Sequence, residues 1–523
     1  MAGLALESSG DLDKAGVAVA NRFAALHEML YMRGGIRPVN AAIDELCKLL
    51  FLELAARAAG DLQVVGFGTL ADVLDPSRIR SAGEVSGLKA AFTAAIALEP
   101  LKARLPDGSA QTVWPVDEPF RLSTADVAAA GLEVISDALR ESSVHGAQDT
   151  LGIAFDMFLR GKYEHAGGLG TYLTPHPVTS AMARIALELT DLLAAPIKGP
   201  VFGDPCCGTG RFLVSVYEEL GMRISTPDLH GRLRTFARDG IFGADQSTSS
   251  VAMARLNLLA FGVQRPYVFA VQDSITDPTL DRLRGSLRLV LTNPPFGDRK
   301  YDSAEGIRRT TSILPGIRAN GTIDPALAFV ARCLDLLDDG GVCGIVLPDG
   351  IVDGPVLRRM LLAHPTLTPA EVSVEANVSL PTATFSLGGT TAKTSALFLR
   401  RGPSSRSHVF LARADHVGYV KQGGGVVHDP EGNDLPAIAD LAEKHIPAPV
   451  TEATSVPSET PGRSGEAVGS GLARRSETRS HRGRRKGRTP RKWRCSSGNA
   501  DSASGTKKAC PQPRRAVRVG SSR

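Results

Sequence analysis

The chain lacks any long apolar run. No stretch of about 18 consecutive apolar residues occurs in it, and its first residues, MAGLALESSGDLDK, do not place a basic segment ahead of an apolar one. These absences argue against a membrane-spanning helix and a secretory signal. Aromatic residues are scarce at 5%, whereas 43% of residues are hydrophobic and 22% are charged. This composition is typical of a soluble globular protein, and a chain of 523 residues allows about two to four domains.

Cysteine is also scarce. Seven cysteines are present, and their spacings do not match a metal-ligand pattern. Cys206 and Cys207 are adjacent in a glycine-rich loop and the others are scattered, which favours a reducing compartment over a disulfide framework. We therefore expect no metal site, and we interpret Cys206 and Cys207 as small packing residues rather than as nucleophiles.

The charge of the chain, +5 overall, is distributed unevenly. Residues 451–523 contain 18 Lys and Arg against 5 Asp and Glu, which leaves −8 for residues 1–450. The segment 451–523 is rich in Arg, Ser, Gly and Pro without apolar periodicity, and is predicted to be disordered. It is either a nonspecific nucleic-acid-binding tail or an out-of-frame reading of GC-rich DNA, and its abrupt onset slightly favours the second interpretation.

Hydrophobic periodicity predicts two kinds of structure in the rest of the chain. Residues 1–145 have apolar residues at spacings of three and four and are predicted to be helical. Further along, short apolar strands alternate with helices, which predicts an α/β fold with a doubly wound, mostly parallel Rossmann-like sheet that binds ligands beyond the carboxyl ends of its strands. The predicted strands are 199–204, 240–245, 267–273, 287–292, 341–348 and 395–401, and helices are predicted at 247–262 and 324–341.

A glycine-rich turn follows the first predicted strand. In VFGDPCCGTGRFL the strand leads through Asp204 into Gly208-Thr209-Gly210 and then into a helix. The glycines allow the backbone to approach a ligand closely, and the Asp204 carboxylate could hold a cationic amine. Leu213 stands where a third glycine would complete a dinucleotide fingerprint. The turn alone therefore does not separate a nucleotide site from an ordinary tight turn.

Two more aspartates are predicted at strand ends. Asp245 ends the second predicted strand, where a carboxylate can accept both hydroxyls of a ribose, and Asp273 ends the third, where it could meet an adenine amine. Each of them alone is better explained as a strand-terminating or helix-capping residue. Together with Asp204 they describe a pocket for an adenosine that carries an amino-acid tail, as S-adenosylmethionine does.

The segment GGLGTYLTPHP lies just ahead of the glycine-rich strand. It adds an aromatic residue, threonines and a proline at a predicted helix start, although Thr174-Pro175 also fits a helix N-cap followed by a helix-initiating proline. The candidate cofactor contacts in this segment are Thr171, Tyr172, Thr174 and Pro175.

The fourth predicted strand runs directly into Asn293-Pro294-Pro295-Phe296. Two consecutive prolines leave the backbone little freedom. The Asn293 side-chain oxygen and the Pro294 carbonyl are hydrogen-bond acceptors suited to a planar amine, although an isolated Asn-Pro-Pro is more often a rigid exit from a strand. The polar residues 297–324 that follow are predicted to form a loop, which either closes over the site or is simply a solvated loop.

The order of these motifs resembles the gamma-class adenine DNA methyltransferases and, more narrowly, the modification subunit of type I restriction-modification systems. The resemblance spans roughly residues 150–440 and is specific for the combination of motifs rather than for any one of them. Cys206 stands where the family usually has a small residue such as Ala, Asp245 stands where it often has Glu, and the basic tail replaces the helical region expected to contact a specificity subunit. The matching segments are GTYLTP, DPCCGTGRFL, Asp245, Asp273, NPPF, LLDDGGVCGIVLPDGIV, VSLPTATFSLGGTTAKTSALFLRR and VGYVKQGGGVVHDPEGNDLPAIADL.

The resemblance implies methyl transfer from S-adenosylmethionine to the 6-amino group of an adenine rotated out of double-stranded DNA. Asn293 and Pro294 would hold that amine, Pro295 would stiffen the turn, and Phe296 would stack on the base. A separate specificity subunit would choose the DNA site and a restriction subunit would be a further partner, because we find no recognition domain, nuclease motif or helicase motif. The implied domains are 1–145, helical; 146–405, methyltransferase; 406–450, an extension of the catalytic domain; and 451–523, a disordered tail.

Three other functions stay open from the sequence. The first is a methyltransferase that acts on RNA bases or on the amide of a protein glutamine, because Asn-Pro-Pro loops of methyltransferases also hold those planar amines. A non-catalytic DNA-binding assembly subunit is a second alternative, disfavoured by the complete Asn-Pro-Pro-Phe and Gly-x-Gly motifs. A nicotinamide-dependent dehydrogenase is the third, disfavoured by the missing third glycine.

Overall fold

A computed structural model provides the structure of this chain. All residues that it describes belong to one compact unit, and within them no helix is both long and apolar enough to cross a membrane. The described residues are 9–144, 174–194, 196–296, 300–314, 317, 320–355, 357, 372–388, 392–404, 408–422, 425–446 and 520–522.

The N-terminal part is mainly helical, as predicted. Its helices begin at signals that the sequence carries: Thr69 and Asp72 form a reciprocal capping box at one start, and Asp75 caps the next helix ahead of Pro76. The helices are α1 Ser9–Met32, α2 Val39–Ala59, α3 Leu70–Val73, α4 Pro76–Ala82, α5 Ser86–Ile96 and α6 Ala125–Val144, with two hairpins made of β1 Gln63–Val64, β2 Gly68–Thr69, β3 Ala103–Arg104 and β4 Ala110–Gln111.

A nine-stranded, mostly parallel sheet forms the centre of the rest of the chain. Its strands are β5 Phe202–Asp204, β6 Ile241–Asp245, β7 Tyr267–Ala270, β8 Leu287–Thr292, β9 Leu337–Pro348, β10 Val372–Ser379, β11 Thr394–Arg401, β12 Val409–Arg413 and β15 Gly520–Ser522. They are arranged in the order β15-β12-β10-β11-β9-β8-β5-β6-β7. Strands β5 to β9 are parallel, whereas β11 runs antiparallel between β9 and β10. The chain order reverses at β5, and the space beyond such a switch point is where doubly wound sheets bind ligands.

Helices cover both faces of this sheet, because alternate strand residues point to opposite faces. In β8, Leu289 and Leu291 pack into one hydrophobic core while Val290 packs into the other. The helices are α7 His176–Leu189, α8 Arg211–Met222, α9 Pro227–Thr235, α10 Thr248–Ala260, α11 Pro278–Asp281, α12 Ala304–Ile313, α13 Pro325–Leu336, α14 Asp349–Val352 and α15 Leu435–His445, and a separate hairpin pairs β13 Val417–Gln422 with β14 Gly425–Asn433.

Three details of the predicted elements were wrong. Strand β7 ends at Ala270, so Asp273 lies in the turn beyond the strand rather than at its end. Helix α13 ends at Leu336 instead of at Gly340-Gly341, because β9 begins at the next residue and the positive φ of Gly340 falls inside that strand. The predicted loop 297–324 contains α12, which Ser303 caps through the Gly306 amide.

The N-terminal part covers the free edge of the sheet at β7. The Gln111 side-chain oxygen accepts the Ala270 amide at 3.1 Å. The buried Arg255 guanidinium joins the Val268 carbonyl of β7 to the Thr112 carbonyl of the N-terminal part, each at 2.6 Å. These bonds pair backbone groups of β7 that would otherwise be unpaired at the edge of the sheet. Strand β7 is therefore stabilised by β6 on one side and by these contacts on the other.

The predicted disordered tail, 451–523, lies outside the described residues except for Gly520–Ser522, which pairs antiparallel with β12. The domain boundaries at residues 145, 405 and 450 stay predictions.

Candidate functional site

The segment that links β5 to α8, residues 205–210, is called the glycine turn below. Gly208 and Gly210 have positive φ angles of 50° and 80°. A Cβ on Gly210 would lie 2.9 Å from the Ala254 Cβ, whereas one on Gly208 would meet nothing within 4 Å. Gly210 is therefore required for close packing against α10, and Gly208 borders open space. The buried Asn257 side chain fixes the turn by donating to the Thr209 carbonyl at 2.9 Å.

Asp204 is the most buried carboxylate at this turn, with 2% of its surface exposed. Its Oδ1 accepts the Cys206 amide at 3.0 Å and the Thr292 hydroxyl at 2.6 Å. Burial raises the pKa of Asp204 to about 7 despite these hydrogen bonds. A nearby cation would therefore favour the ionised form of this carboxylate.

Asp245 ends β6 and is hydrogen-bonded to the glycine turn. Its two oxygens accept the amides of Gly208 at 3.0 Å and Ser247 at 2.8 Å. Burial raises the pKa of Asp245 as well. A carboxylate has about four acceptor lone pairs, so these two bonds leave capacity for ligand hydroxyls.

Asp273 caps the turn that follows β7. Its Oδ1 accepts the Ile275 amide, and its Oδ2 accepts the hydroxyls of Thr276 and Tyr301. We refer to Asp204, Asp245 and Asp273 as the carboxylate row, since Asp204 and Asp245 end β5 and β6 and Asp273 follows β7, at the carboxyl ends of three neighbouring strands.

The acceptor loop, Asn293–Phe296, begins where β8 ends, as predicted. Asn293 is half-buried, Pro294 and Phe296 are buried, and Pro295 is exposed. The Cys206 thiol lies 3.0 Å from the Thr292 hydroxyl and donates to the Asn293 carbonyl at 3.5 Å. These contacts place the acceptor loop directly beside the glycine turn.

An aromatic pair closes the far side of the acceptor loop. The ring of Phe296 meets that of Phe385 edge-to-face at a centroid distance of 5.6 Å and an interplanar angle of 81°. Phe385 is 1% exposed and lies in the short helical segment Thr382–Gly388.

Thr174 and Pro175 precede α7, and Thr174 is buried. Helix α7 lies against α8, and the Thr179 hydroxyl accepts from the Ser215 hydroxyl at 2.8 Å. Both residues are near the starts of their helices, so this bond brings the beginning of α7 close to the glycine turn. The other two candidates of this segment, Thr171 and Tyr172, lie outside the described residues.

Thiol chemistry is disfavoured at the glycine turn. Burial raises the pKa of Cys206 and Cys207, so both thiols are held in their protonated form. This agrees with their interpretation as packing residues. In the part of the chain that the structure describes, no group of three or more His, Cys, Asp or Glu side chains could hold a metal ion.

Sequence reasoning missed three residues that organise the site. Thr292 joins the acceptor loop to Asp204, Tyr301 binds Asp273, and Phe385 supports Phe296. Thr292 could have been noticed in the sequence, because a hydroxyl at the end of a buried apolar strand requires a hydrogen-bond partner. Phe385 lies in a segment already matched to the family, but neither it nor Tyr301 stands out from its neighbours in the sequence.

Comparison with known proteins identifies the family. A family model described as N-6 DNA Methylase matches residues 146–425. The type II methyltransferase M.MamI of Microbacterium ammoniaphilum is 45% identical over 338 residues, which are 64% of this chain and 91% of that protein. The EcoEI type I restriction enzyme methylase subunit of Escherichia coli is 25% identical over 278 residues, 53% of this chain and 51% of that protein.

A solved structure shares the fold. The type I restriction-modification system methyltransferase subunit from Streptococcus thermophilus aligns with a TM-score of 0.51 at 16% identity, covering 84% of this chain and 93% of that one. The family match spans more than half of the chain and includes the glycine turn, the carboxylate row and the acceptor loop. The chain therefore belongs to the N-6 DNA methylase family and is a DNA adenine methyltransferase.

Proposed function

We propose that this enzyme methylates the 6-amino group of an adenine rotated out of duplex DNA, with S-adenosylmethionine as the methyl donor. One observation carries the proposal: the Cys206 thiol, in the glycine turn, contacts both Thr292 and the carbonyl of Asn293. A donor held at the glycine turn would lie next to a base held at the acceptor loop. Transfer between two such ligands depends mainly on their proximity and orientation.

The residues around the glycine turn fit this cofactor. Gly208 borders open space beside the amino terminus of α8. Asp204 is a buried carboxylate and Asp245 a half-buried one, and burial raises the pKa of both. Positive charge near Asp204 and hydrogen bonds from a ligand to Asp245 would offset the cost of ionising them. We assign Asp204 to the amino-acid tail, Asp245 to the ribose hydroxyls and Asp273 to the adenine amine, with Thr174 and Pro175 at the border. S-adenosylmethionine supplies a methyl group on a positively charged sulfur, so no covalent enzyme intermediate is needed.

The acceptor loop would activate the target amine. The lone pair of the adenine 6-amino group is delocalised into the ring, which makes the amine a poor nucleophile. The Asn293 side-chain oxygen and the Pro294 carbonyl can accept its two N–H bonds and turn the lone pair towards the donor. The same oxygens stabilise positive charge that develops on the nitrogen. Pro294 and Pro295 restrict the backbone of the loop, and Phe296 stacks on the base.

The charge of residues 1–450 supports a partner for DNA binding. Residues 1–145 contain 13 Lys and Arg against 19 Asp and Glu, and residues 1–450 carry −8 overall, whereas the surplus of positive charge lies in residues 451–523. Phosphate contacts depend largely on Lys and Arg, so the net charge of residues 1–450 does not favour DNA binding. We propose that a specificity subunit supplies most DNA contacts and chooses the site, that a restriction subunit is a further partner, and that the enzyme works in the cytoplasm as the modification subunit of a type I-like system.

A methyl-transfer assay with tritiated donor would test the proposal. Duplex DNA, RNA and protein acceptors are offered in competition, with and without the specificity subunit. We expect label only in duplex DNA, as 6-methyladenine, and only with the partner present. Label in RNA or in protein glutamine, or no transfer to DNA in the reconstituted complex, would overturn it.

A further inference from the structure

Tyr301 connects the chain that follows the acceptor loop to the carboxylate row. Its phenol donates to the Asp273 Oδ2 at 2.6 Å, and the two residues are 28 positions apart in sequence. No role of Tyr301 was predicted from the sequence. It stands eight positions after Asn293, so a single side chain links the segment after the acceptor loop to the proposed adenine-binding carboxylate.

The hydrogen bonds of Asp273 distinguish its two oxygens. Oδ2 accepts two hydroxyls, from Tyr301 at 2.6 Å and from Thr276 at 2.7 Å. Oδ1 accepts only the Ile275 amide, at 2.9 Å, among the described residues. Each carboxylate oxygen has about two acceptor lone pairs. Oδ2 is therefore saturated, and the free acceptor position belongs to Oδ1.

Tyr301 is itself held in place. Its backbone forms two hydrogen bonds with Ile323, of 2.9 and 2.8 Å. Its ring packs against a hydrophobic cluster that includes Ile275 and Ile323. The other side of the ring lies on Gly306 of α12, where an added Cβ would overlap the phenol. The absence of a side chain at residue 306 thus creates the space that the Tyr301 ring occupies.

We propose that Tyr301 is a positioning residue for recognition of the adenine of the methyl donor. By occupying Oδ2, it orients the Asp273 carboxylate so that Oδ1 accepts the 6-amino group. This inference rests on the proposed function, in which S-adenosylmethionine binds along the carboxylate row. It adds a residue from beyond the acceptor loop to the cofactor pocket.

The test compares two ligands by titration calorimetry on the full chain. One is S-adenosylhomocysteine, and the other is the same molecule with hydrogen in place of the 6-amino group. A hydrogen bond to a carboxylate predicts that wild-type protein prefers the first ligand about tenfold or more. Asp273→Ala should abolish that preference. A wild-type preference near one, or a preference that persists in Asp273→Ala, would refute the proposed adenine contact together with this inference.

Tyr301→Phe isolates the phenol because the ring is retained. We expect the preference to fall to about threefold or less, through weaker binding of S-adenosylhomocysteine, while affinity for the analogue stays within about twofold. Gly306→Ala should produce the same change by displacing the Tyr301 ring. Because alanine favours a helix more than glycine does, this substitution should not destabilise α12 itself. A purely structural role of Tyr301 would instead weaken both ligands equally.

Tyr419→Phe is the matched control, because its phenol donates to the Thr384 carbonyl, away from the carboxylate row. It should leave the ligand preference unchanged. If Asp273→Ala abolishes the preference but Tyr301→Phe retains it, the Tyr301 inference is wrong and the adenine contact stands. Equal weakening of both ligands in Tyr301→Phe would also overturn the inference.

Discussion

The two sides of the site use hydrogen-bond acceptors of different charge. Beyond β5, β6 and β7 the carboxylate row offers acidic side chains, and burial raises the pKa of two of them, Asp204 and Asp245. Beyond β8 the acceptor loop offers an amide and a carbonyl oxygen beside an aromatic pair. A buried carboxylate is costly unless a cation or hydrogen bonds compensate it. The Asp204 carboxylate therefore suits a ligand group with fixed positive charge, Asp245 and Asp273 suit ligand groups that donate hydrogen bonds, and the neutral acceptors suit a base that becomes charged only during the reaction.

Replacing Asn293 with Ala should separate the two sides most strongly. Loss of one acceptor that acts in the transition state predicts a fall in methyl transfer of about 10²- to 10³-fold or more. Affinity for S-adenosylhomocysteine should stay within about twofold of wild type, because the carboxylate row is intact. Single-turnover transfer and calorimetry measure the two effects. Equal losses in both would mean that Asn293 belongs to the cofactor side.

Replacing Asp204 with Asn should produce the opposite result. Loss of a charged hydrogen bond predicts about ten- to hundredfold weaker cofactor binding. The rate at saturating cofactor should be affected much less, because the acceptor loop remains. If Asp204→Asn binds the cofactor normally but transfers the methyl group slowly, Asp204 belongs to the base side and our assignment is wrong.

The pH dependence of cofactor binding is part of the same prediction. The pKa of Asp204 in the free protein is about 7, and a cationic ligand favours the ionised form. Wild-type affinity should therefore be about tenfold weaker at pH 6 than at pH 8, beyond any change that Asp204→Asn shows. Stability has the opposite slope: the folded chain retains a proton that the unfolded chain loses, so this group lowers stability as pH rises from about 4 to about 7.

Replacing Phe385 with Leu should weaken the base side alone. Loss of the edge-to-face contact with Phe296 predicts an increase in the KM for DNA of about two- to tenfold, with unchanged cofactor affinity. Phe269→Leu is a matched control, since Phe269 packs against Phe242 at 5.8 Å on the cofactor side. An equal increase in KM in both variants would indicate general loosening of the fold.

The smallest effect is expected at Cys206, which contacts both sides. Cys206→Ala removes weak sulfur hydrogen bonds to Thr292 and the Asn293 carbonyl. Transfer should stay within about threefold of wild type, with no covalent adduct in intact-mass spectra. Complete loss of transfer in this variant would reveal a nucleophile where we find a packing residue.

Local sequence signals predicted six of the nine strands of the sheet, whereas β10, β12 and β15 were not predicted. All six predicted strands are present, and β8 has the predicted bounds. Strand ends were less reliable at the edge of the sheet: β7 stops at Ala270, and Asp273 caps the next turn instead. A short apolar run identifies a buried strand but not the residue at which its pairing stops.

The side-chain contacts within the site could not be predicted from local sequence patterns, because the residues that touch are far apart in the sequence. Thr292 meets Asp204 across 88 positions, and Tyr301 meets Asp273 across 28. Phe385 lies between β10 and β11 in the chain, yet its ring meets that of Phe296, which follows β8. Motifs identify residues that follow strands, whereas the register and order of the strands decide which of them touch.

The most direct measurement is a structure of the enzyme bound to its specificity subunit, S-adenosylhomocysteine and duplex DNA. We expect the ligand to lie against the glycine turn. We also expect an everted adenine whose amine is within hydrogen-bonding distance of the Asn293 side-chain oxygen and the Pro294 carbonyl. A ligand bound away from the glycine turn, or a target adenine held by a carboxylate instead of by the acceptor loop, would contradict this expectation.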